Sequence, residues 1–233
     1  SQLVKDFCFK YNQIMSTKKL IIALDYPCLD DVINIIKYID PNRCLVKVGL
    51  QLYLSEGTRV LDYLTDKGFE IFLDLKLHDI PNTVGKALKK ISSFNVSMTT
   101  IHIKGGTNMI NAALENAGKT KIIGVTILTS LDSEEISLLH GSNIKDQFYR
   151  LIDVARKTEI DGIVCSPHEL VDLSGFNKIK VVPGIRNIET SDDQKRTMSA
   201  VDAYKFGADF IVVGRPITHA KNIEYAILEY LQK

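Results

Sequence analysis

No stretch of this 233-residue chain is apolar over the roughly 18 residues that a membrane-spanning helix requires. Lysines interrupt the N-terminal stretch where the apolar region of a signal peptide would lie, so a cytoplasmic protein is expected. Charge of one sign is lacking too. With 29 Lys+Arg against 28 Asp+Glu the formal charge is +1, which supplies no global field toward nucleic acid or an anionic membrane. The four cysteines, Cys8, Cys28, Cys44 and Cys165, form no CxxC or Cys/His ligand spacing and read as buried thiols in a reducing compartment. His78, His102, His140, His168 and His219 make no metal-ligand pattern. The phosphate loop GxxxxGK[ST] and the dinucleotide fingerprint GxGxxG are both missing, which argues against a P-loop or Rossmann cofactor site. There is no repeat, low-complexity tract or Pro/Gly/Ser-rich linker to divide the chain.

What is present is an alternation. From Leu20 onward, short β-rich apolar runs alternate with longer amphipathic stretches, the signature of βα units around a parallel sheet. Strands are expected at 20–25, 43–48, 69–76, 96–102, 121–127, 161–165, 178–182 and 209–213. Helices are expected at 30–39, 56–67, 82–93, 107–117, 145–158, 198–206 and 219–231, with a short helix or turn near 167–172. Eight such strands suit a single closed (β/α)8 barrel over residues 20–233, with an open doubly wound sheet as the runner-up. Residues 1–19 form an N-terminal extension, read as a short helix on the outside and assigned no chemistry. The longest irregular stretch, 128–144, follows the fifth strand, where a barrel keeps an active-site loop.

In such a barrel catalytic groups come from the C-terminal strand ends. Asp25 ends the run LIIALD, Lys47 lies inside CLVKVG, and Asp74 and Lys76 lie inside IFLDLKLHD. By the strand period of two, Phe72, Asp74, Lys76 and His78 share one face and Leu73, Leu75 and Leu77 the other. The leucines should pack against helices, which points the charges into the barrel. Isolated ions there are costly and persist only when paired or when they serve a site. Asp79 follows at the strand's end. Two lysines and two aspartates can then build an alternating array that aims a lysine and repels a negative group on a bound substrate. The same residues can also be a salt-bridge layer that only fills the barrel, and the motif alone leaves both readings open. His78 reads as a structural hydrogen-bonder, and His102, at the end of the fourth strand, as a satisfied core histidine.

A second line comes from the loops after strands seven and eight, which commonly hold a phosphate in this architecture. Here they read Pro183-Gly184-Ile185-Arg186 and Gly214-Arg215-Pro216-Ile217-Thr218. Glycine permits close backbone approach and arginine grips phosphate through two parallel hydrogen bonds. Either motif alone would pass for a tight turn beside a solvated arginine; both at the expected loops favour phosphate. Gln194 is a polar candidate for phosphate or base, or simply a surface glutamine. Thr129 and Ser130, in VTILTS, offer hydroxyls to the edge of a base or cap the strand end. Asp25 can accept from a sugar hydroxyl or cap a turn.

The ordered set ALD (23–25), VKVG (46–49), LDLKLHDIPNTV (73–84), VTILTS (125–130), PGIR (183–186), DDQ (192–194) and VGRPIT (213–218) resembles the orotidine 5′-phosphate decarboxylase family, in its shorter bacterial form, from about Leu20 to the C-terminus. The resemblance implies loss of CO2 from orotidine 5′-phosphate to give uridine 5′-phosphate, with no metal and no organic cofactor. Carried over by position, Lys76 donates a proton to C6 of the pyrimidine and Asp74 sits against the departing carboxylate. Lys47 completes the array and contacts the ribose side, while Asp25 binds a ribose hydroxyl. Asp79 and Thr83 match positions that reach into a neighbouring subunit's site, which implies a homodimer. One of Thr129 and Ser130 meets the base, with Pro183 nearby; Gln194, Gly214 and Arg215 match phosphate contacts and Arg186 a further ligand contact. Related Mg2+-dependent barrels acting on sugar phosphates, such as 3-hexulose-6-phosphate synthase and keto-gulonate-phosphate decarboxylase, carry an acidic residue where this chain has Lys47, and a nucleotide-phosphate sensor would be expected to lack part of the set Lys47, Asp74, Lys76 and Asp79.

Overall fold

A computed structural model of the protein describes residues 19–128, 133–187 and 198–231. Its strands are β1 (Leu20–Ala23), β2 (Cys44–Gly49), β3 (Ile71–Leu77), β4 (Val96–His102), β5 (Lys121–Val125), β6 (Gly162–Val164), β7 (Ile179–Pro183) and β8 (Phe210–Val213). Each pairs in parallel with its sequence neighbours, and β1 pairs with β8, which closes the barrel and removes the open-sheet alternative. Closure also leaves no free sheet edge.

The helices are α1 (Leu29–Ile36), α2 (Leu50–Glu56), α3 (Arg59–Asp66), α4 (Pro81–Ile91), α5 (Gly106–Asn116), α6 (Ser133–His140), α7 (Ile144–Lys157), α8 (Pro167–Val171), α9 (Ala200–Lys205), α10 (Arg215–Thr218) and α11 (Ile223–Tyr230). Three of these differ from the sequence pattern. Leu50–Glu56 folds as its own helix directly after β2, the stretch expected to be irregular contains α6, and Arg215–Thr218 forms one short turn. Local chemistry sets other boundaries: Pro81 begins α4, where a missing N–H costs nothing, and the Asn143 side chain accepts from Asp146 N to cap α7. The Ser166 and Glu169 side chains close a reciprocal capping box on α8.

Side-chain alternation builds two apolar layers. Ile21, Ala23, Leu45, Phe72, Met98, Ile123, Val181 and Val212 fill the barrel interior. The intervening residues, such as Leu20, Ile22, Val46, Val48, Ile71 and Leu73, pack outward against the helices. Cys44 and Cys165 are buried as expected, but Cys28 is only half-buried and its thiol donates to Asp31 Oδ2 at 3.2 Å. Cys8 and nearly all of the N-terminal extension lie outside the described residues. Among the described residues no helix is long and apolar enough to cross a membrane.

Candidate active site

Stepping two residues along each inner-facing strand, from the apolar plug toward the C-terminal rim, changes the chemistry of the barrel. Ala23 leads to Asp25, Leu45 to Lys47, Phe72 to Asp74, Met98 to Thr100, Val181 to Pro183 and Val212 to Gly214. The register Ala23 with Lys47 and Gly49 with Asp74 sets the first three side by side. The interior is therefore dry at its base and polar at its mouth, and the polar groups belong to several strands.

The charges form a chain. Lys47 Nζ lies 3.1 Å from Asp25 Oδ1 and 3.8 Å from Asp74 Oδ2, and Lys76 Nζ lies 2.9 and 2.8 Å from the two oxygens of Asp74. Sign alternates along Asp25, Lys47, Asp74 and Lys76. Side-chain exposure is 13% at Lys47 and Asp74, 38% at Lys76 and 62% at Asp25. The two central charges are thus withdrawn from water and matched by opposite neighbours, while the Lys76 ammonium opens toward solvent. Charge-assisted contacts of this kind contribute about 1.5–3 kcal/mol each when buried, and less where water reaches them. A cavity of about 340 Å³ adjoins the chain, lined by Asp25, Lys47, Asp74 and Lys76 with Leu24, Gly49 and Leu75, and rimmed by Leu50, Gln51 and Leu52 of α2. Gly49 leaves little room: a Cβ there would lie 3.2 Å from Lys47 Nζ and 3.5 Å from Asp25 Oδ1.

Lys76 has φ of 50°, so among the described residues it is the one non-glycine residue with a left-handed backbone. An L-residue there is strained by about 1–2 kcal/mol, and such strain concentrates at functional positions. It coincides with a shift of register between β3 and β4 from Leu73 to Leu77. Thr100, fully buried on β4, spans the irregularity: its Oγ1 accepts from Lys76 N at 2.8 Å and donates to Asp74 Oδ1 at 2.9 Å. Thr100 lies outside the motifs that single out the other site residues. Its position two residues beyond Met98, on the inner face beside the charged strand, was the available signal.

Asp79 and Thr83 stand elsewhere. Both are exposed, and among the described residues Asp79 enters no ion pair; its carboxylate accepts from Ile80 N at 2.6 Å. Within one chain the second carboxylate of the array is Asp25, not Asp79. His102 also departs from expectation. It is half-exposed, its ring lies 5.4 Å from that of exposed His78, and its Nδ1 is buried with no hydrogen-bond partner. Burial lowers its pKa from the usual 6.5, and the nearby His78, Lys104 and Lys76 push the same way, opposed by Asp74.

On the other side of β1, β8 and β7 bring their loops to the same rim. Gly184 takes a φ of 77°, which a side chain would resist, and Arg186 N donates to Met198 O at 3.0 Å. Gly214 lies against β1: a Cβ there would be 3.5 Å from Ala23 Cβ and 3.6 Å from Asp25 Oδ2. Arg215 is exposed, Arg186 and Pro183 half-buried. Thr129, Ser130 and Gln194 lie outside the described residues.

The fold and the sequence can be set beside known families. The model of the orotidine 5′-phosphate decarboxylase / HUMPS family matches residues 18–230. The chain belongs to this family. It is 41% identical over 218 residues to an orotidine 5′-phosphate decarboxylase of Legionella pneumophila strain Corby, covering 88% of this chain and 94% of that one. With the enzyme of the same name from Wigglesworthia glossinidia brevipalpis it shares 40% identity over 224 residues, 92% of this chain and 96% of the relative. The crystal structure of orotidine 5′-phosphate decarboxylase from Lactobacillus acidophilus superposes with a TM-score of 0.80 at 32% identity, covering 91% and 99% of the two chains. The family resemblance and the barrel expected from sequence both hold.

Proposed function

We propose that this protein removes CO2 from orotidine 5′-phosphate to give uridine 5′-phosphate, the last step of de novo pyrimidine nucleotide synthesis, in the cytoplasm and without metal or organic cofactor. The observation that carries the reading is the Asp25, Lys47, Asp74, Lys76 chain, ending on a half-exposed ammonium at a cavity. In the proposed step the bond from C6 to the carboxylate breaks and CO2 departs, leaving the electron pair on C6. The Lys76 ammonium stabilises that charge and transfers its proton to C6, then regains one from solvent. Asp74 aims the ammonium through both of its oxygens and opposes the substrate carboxylate, which favours its departure.

The remaining contacts follow from position. Asp25 takes a ribose hydroxyl and Lys47 the ribose side; Gly214, Arg215, Arg186 and Gln194 hold the phosphate; Pro183 with Thr129 or Ser130 meets the pyrimidine. Lys47 places an ammonium between Asp25 and Asp74, a pair that a divalent cation would otherwise suit, and this supports metal-independent chemistry over that of Mg2+-dependent relatives. Among the described residues no three His, Cys, Asp or Glu side chains gather as a ligand set. Asp79 and Thr83, exposed on the segment that enters α4, complete the site of a second copy in a homodimer. Ile80 between them is 65% exposed and Leu54 on α2 is 75% exposed, apolar surface suited to such a contact.

Loss of the ultraviolet absorbance of orotidine 5′-phosphate, undiminished by excess EDTA, tests the reaction; no loss, or loss abolished by EDTA, would turn the reading toward the sugar-phosphate relatives. Mixing inactive Lys76→Ala and Asp79→Ala variants tests the shared site, since a mixed dimer holds one intact site and an equimolar mixture should recover up to about a quarter of full activity. No recovery on mixing would place Asp79 outside the partner's site.

A further inference from the structure

We propose that Thr100 is the positioning residue that holds Lys76 in its working orientation. The inference rests on the decarboxylase reading above and adds a group to it. A backbone N–H can only donate, so the Lys76 amide at 2.8 Å fixes Thr100 Oγ1 as acceptor on that side. The single hydroxyl proton is then left for Asp74 Oδ1 at 2.9 Å. The Lys76 ammonium in turn donates to Asp74 Oδ1 at 2.9 Å and Oδ2 at 2.8 Å. These bonds close a ring that begins at the backbone of Lys76, passes through Thr100 and Asp74, and returns to the same residue's Nζ.

The ring sits where ordinary sheet pairing fails. The register shift between Leu73 and Leu77 takes the Lys76 amide out of the regular β3–β4 ladder, and the left-handed φ of 50° turns the residue relative to a plain strand. Without a substitute partner that conformation would relax. Thr100 supplies the partner from a position with no exposure to solvent, so water does not compete for its hydroxyl, and its β-branched side chain is stiff at χ1. One hydroxyl thereby sets both the backbone of the proton donor and the carboxylate that aims it.

Thr100→Val keeps the branched shape and removes the hydroxyl, whereas Thr100→Ser keeps the hydroxyl. In the valine variant kcat should fall on the order of 10–100-fold, as misplacement of a reacting group by a fraction of an ångström to an ångström does, while KM and the affinity for uridine 5′-phosphate stay within about threefold. The serine variant should restore kcat to within a few-fold of wild type. Hydrogen exchange at the Lys76 amide should accelerate in the valine variant and not in the serine variant. A valine variant with wild-type kcat, equal impairment of both variants, or a change confined to KM would overturn the proposal. If the wild type fails to decarboxylate orotidine 5′-phosphate, the functional reading falls, and amide exchange in the resting protein still decides the role of the hydroxyl: equal protection of Lys76 in all three proteins would refute it.

Discussion

Replacing Lys76 by glycine should leave a more stable protein than replacing it by alanine, the reverse of the usual order within a strand. Both changes remove the ammonium and leave Asp74 facing Lys47 at 3.8 Å, so the electrostatic loss cancels in the comparison. What remains is the backbone at φ 50°. Alanine there carries the left-handed strain of about 1–2 kcal/mol, which glycine avoids. Glycine loses about 0.5–1 kcal/mol through the greater freedom of its unfolded chain. The net advantage of glycine is about 1 kcal/mol, which for a chain of this size corresponds to a Tm higher by about 2–4 °C. Thermal unfolding of both variants, at one pH and one protein concentration, measures this difference directly. Equal Tm values, or a higher value for alanine, would show that the conformation at Lys76 carries no such strain.

Three further outcomes are expected. Phe72→Ala, opening a hole in the apolar plug where Phe72 is 1% exposed, should cost about 3–5 kcal/mol in denaturant unfolding, and a loss under 1 kcal/mol would mean that the interior layer collapses to fill the space. His102 binds its proton more weakly in the folded state than its ordinary value of 6.5 implies, so the unfolded chain takes up more protons between the lowered folded value and 6.5; the contribution of this group to stability should be level above pH 6.5 and decline as pH falls from 6.5 toward the lowered folded value. Comparison of urea midpoints between pH 5 and pH 7 should show that decline reduced in His102→Asn, and parallel curves would assign it to other groups. If Arg215 holds the phosphate as proposed and that binding energy orders the site, Arg215→Ala should lower kcat as well as raise KM; a raised KM with unchanged kcat would confine Arg215 to uniform binding.

The barrel was legible because each strand pairs with its sequence neighbour and because buried parallel strands are short, apolar and separated by amphipathic helices. Helix α2 carries no helical pattern in the sequence: Leu50, Leu52 and Leu54 recur with a period of two, and Leu54 is exposed. Helix α6 was hidden for a related reason: the adjacent Leu138 and Leu139 are 86% and 62% exposed, so this pair marks no inward stripe. Within the site, the period of two put Asp74 and Lys76 on one face of their strand, and Lys47 was singled out as a charge inside an apolar strand run. The pairing of charges was less legible, because Asp25 reaches Lys47 through the alignment of β1 with β2 and not through proximity in the chain. Thr100 was invisible for a similar reason. A threonine in a strand is unremarkable, and its hydrogen bonds depend on a register shift between β3 and β4 that no local pattern encodes. The orphaned Nδ1 of His102 likewise depends on what the fold brings to β4 and not on the run that contains it.

The most direct test of the central claim compares wild type and Lys76→Ala on orotidine 5′-phosphate, with the affinity of each for uridine 5′-phosphate measured alongside. If Lys76 both stabilises the charge at C6 and delivers the proton, its loss should lower kcat/KM on the order of 10⁴-fold or more while product affinity changes by less than about tenfold. A Lys76→Ala enzyme retaining activity within tenfold of wild type would contradict the assignment.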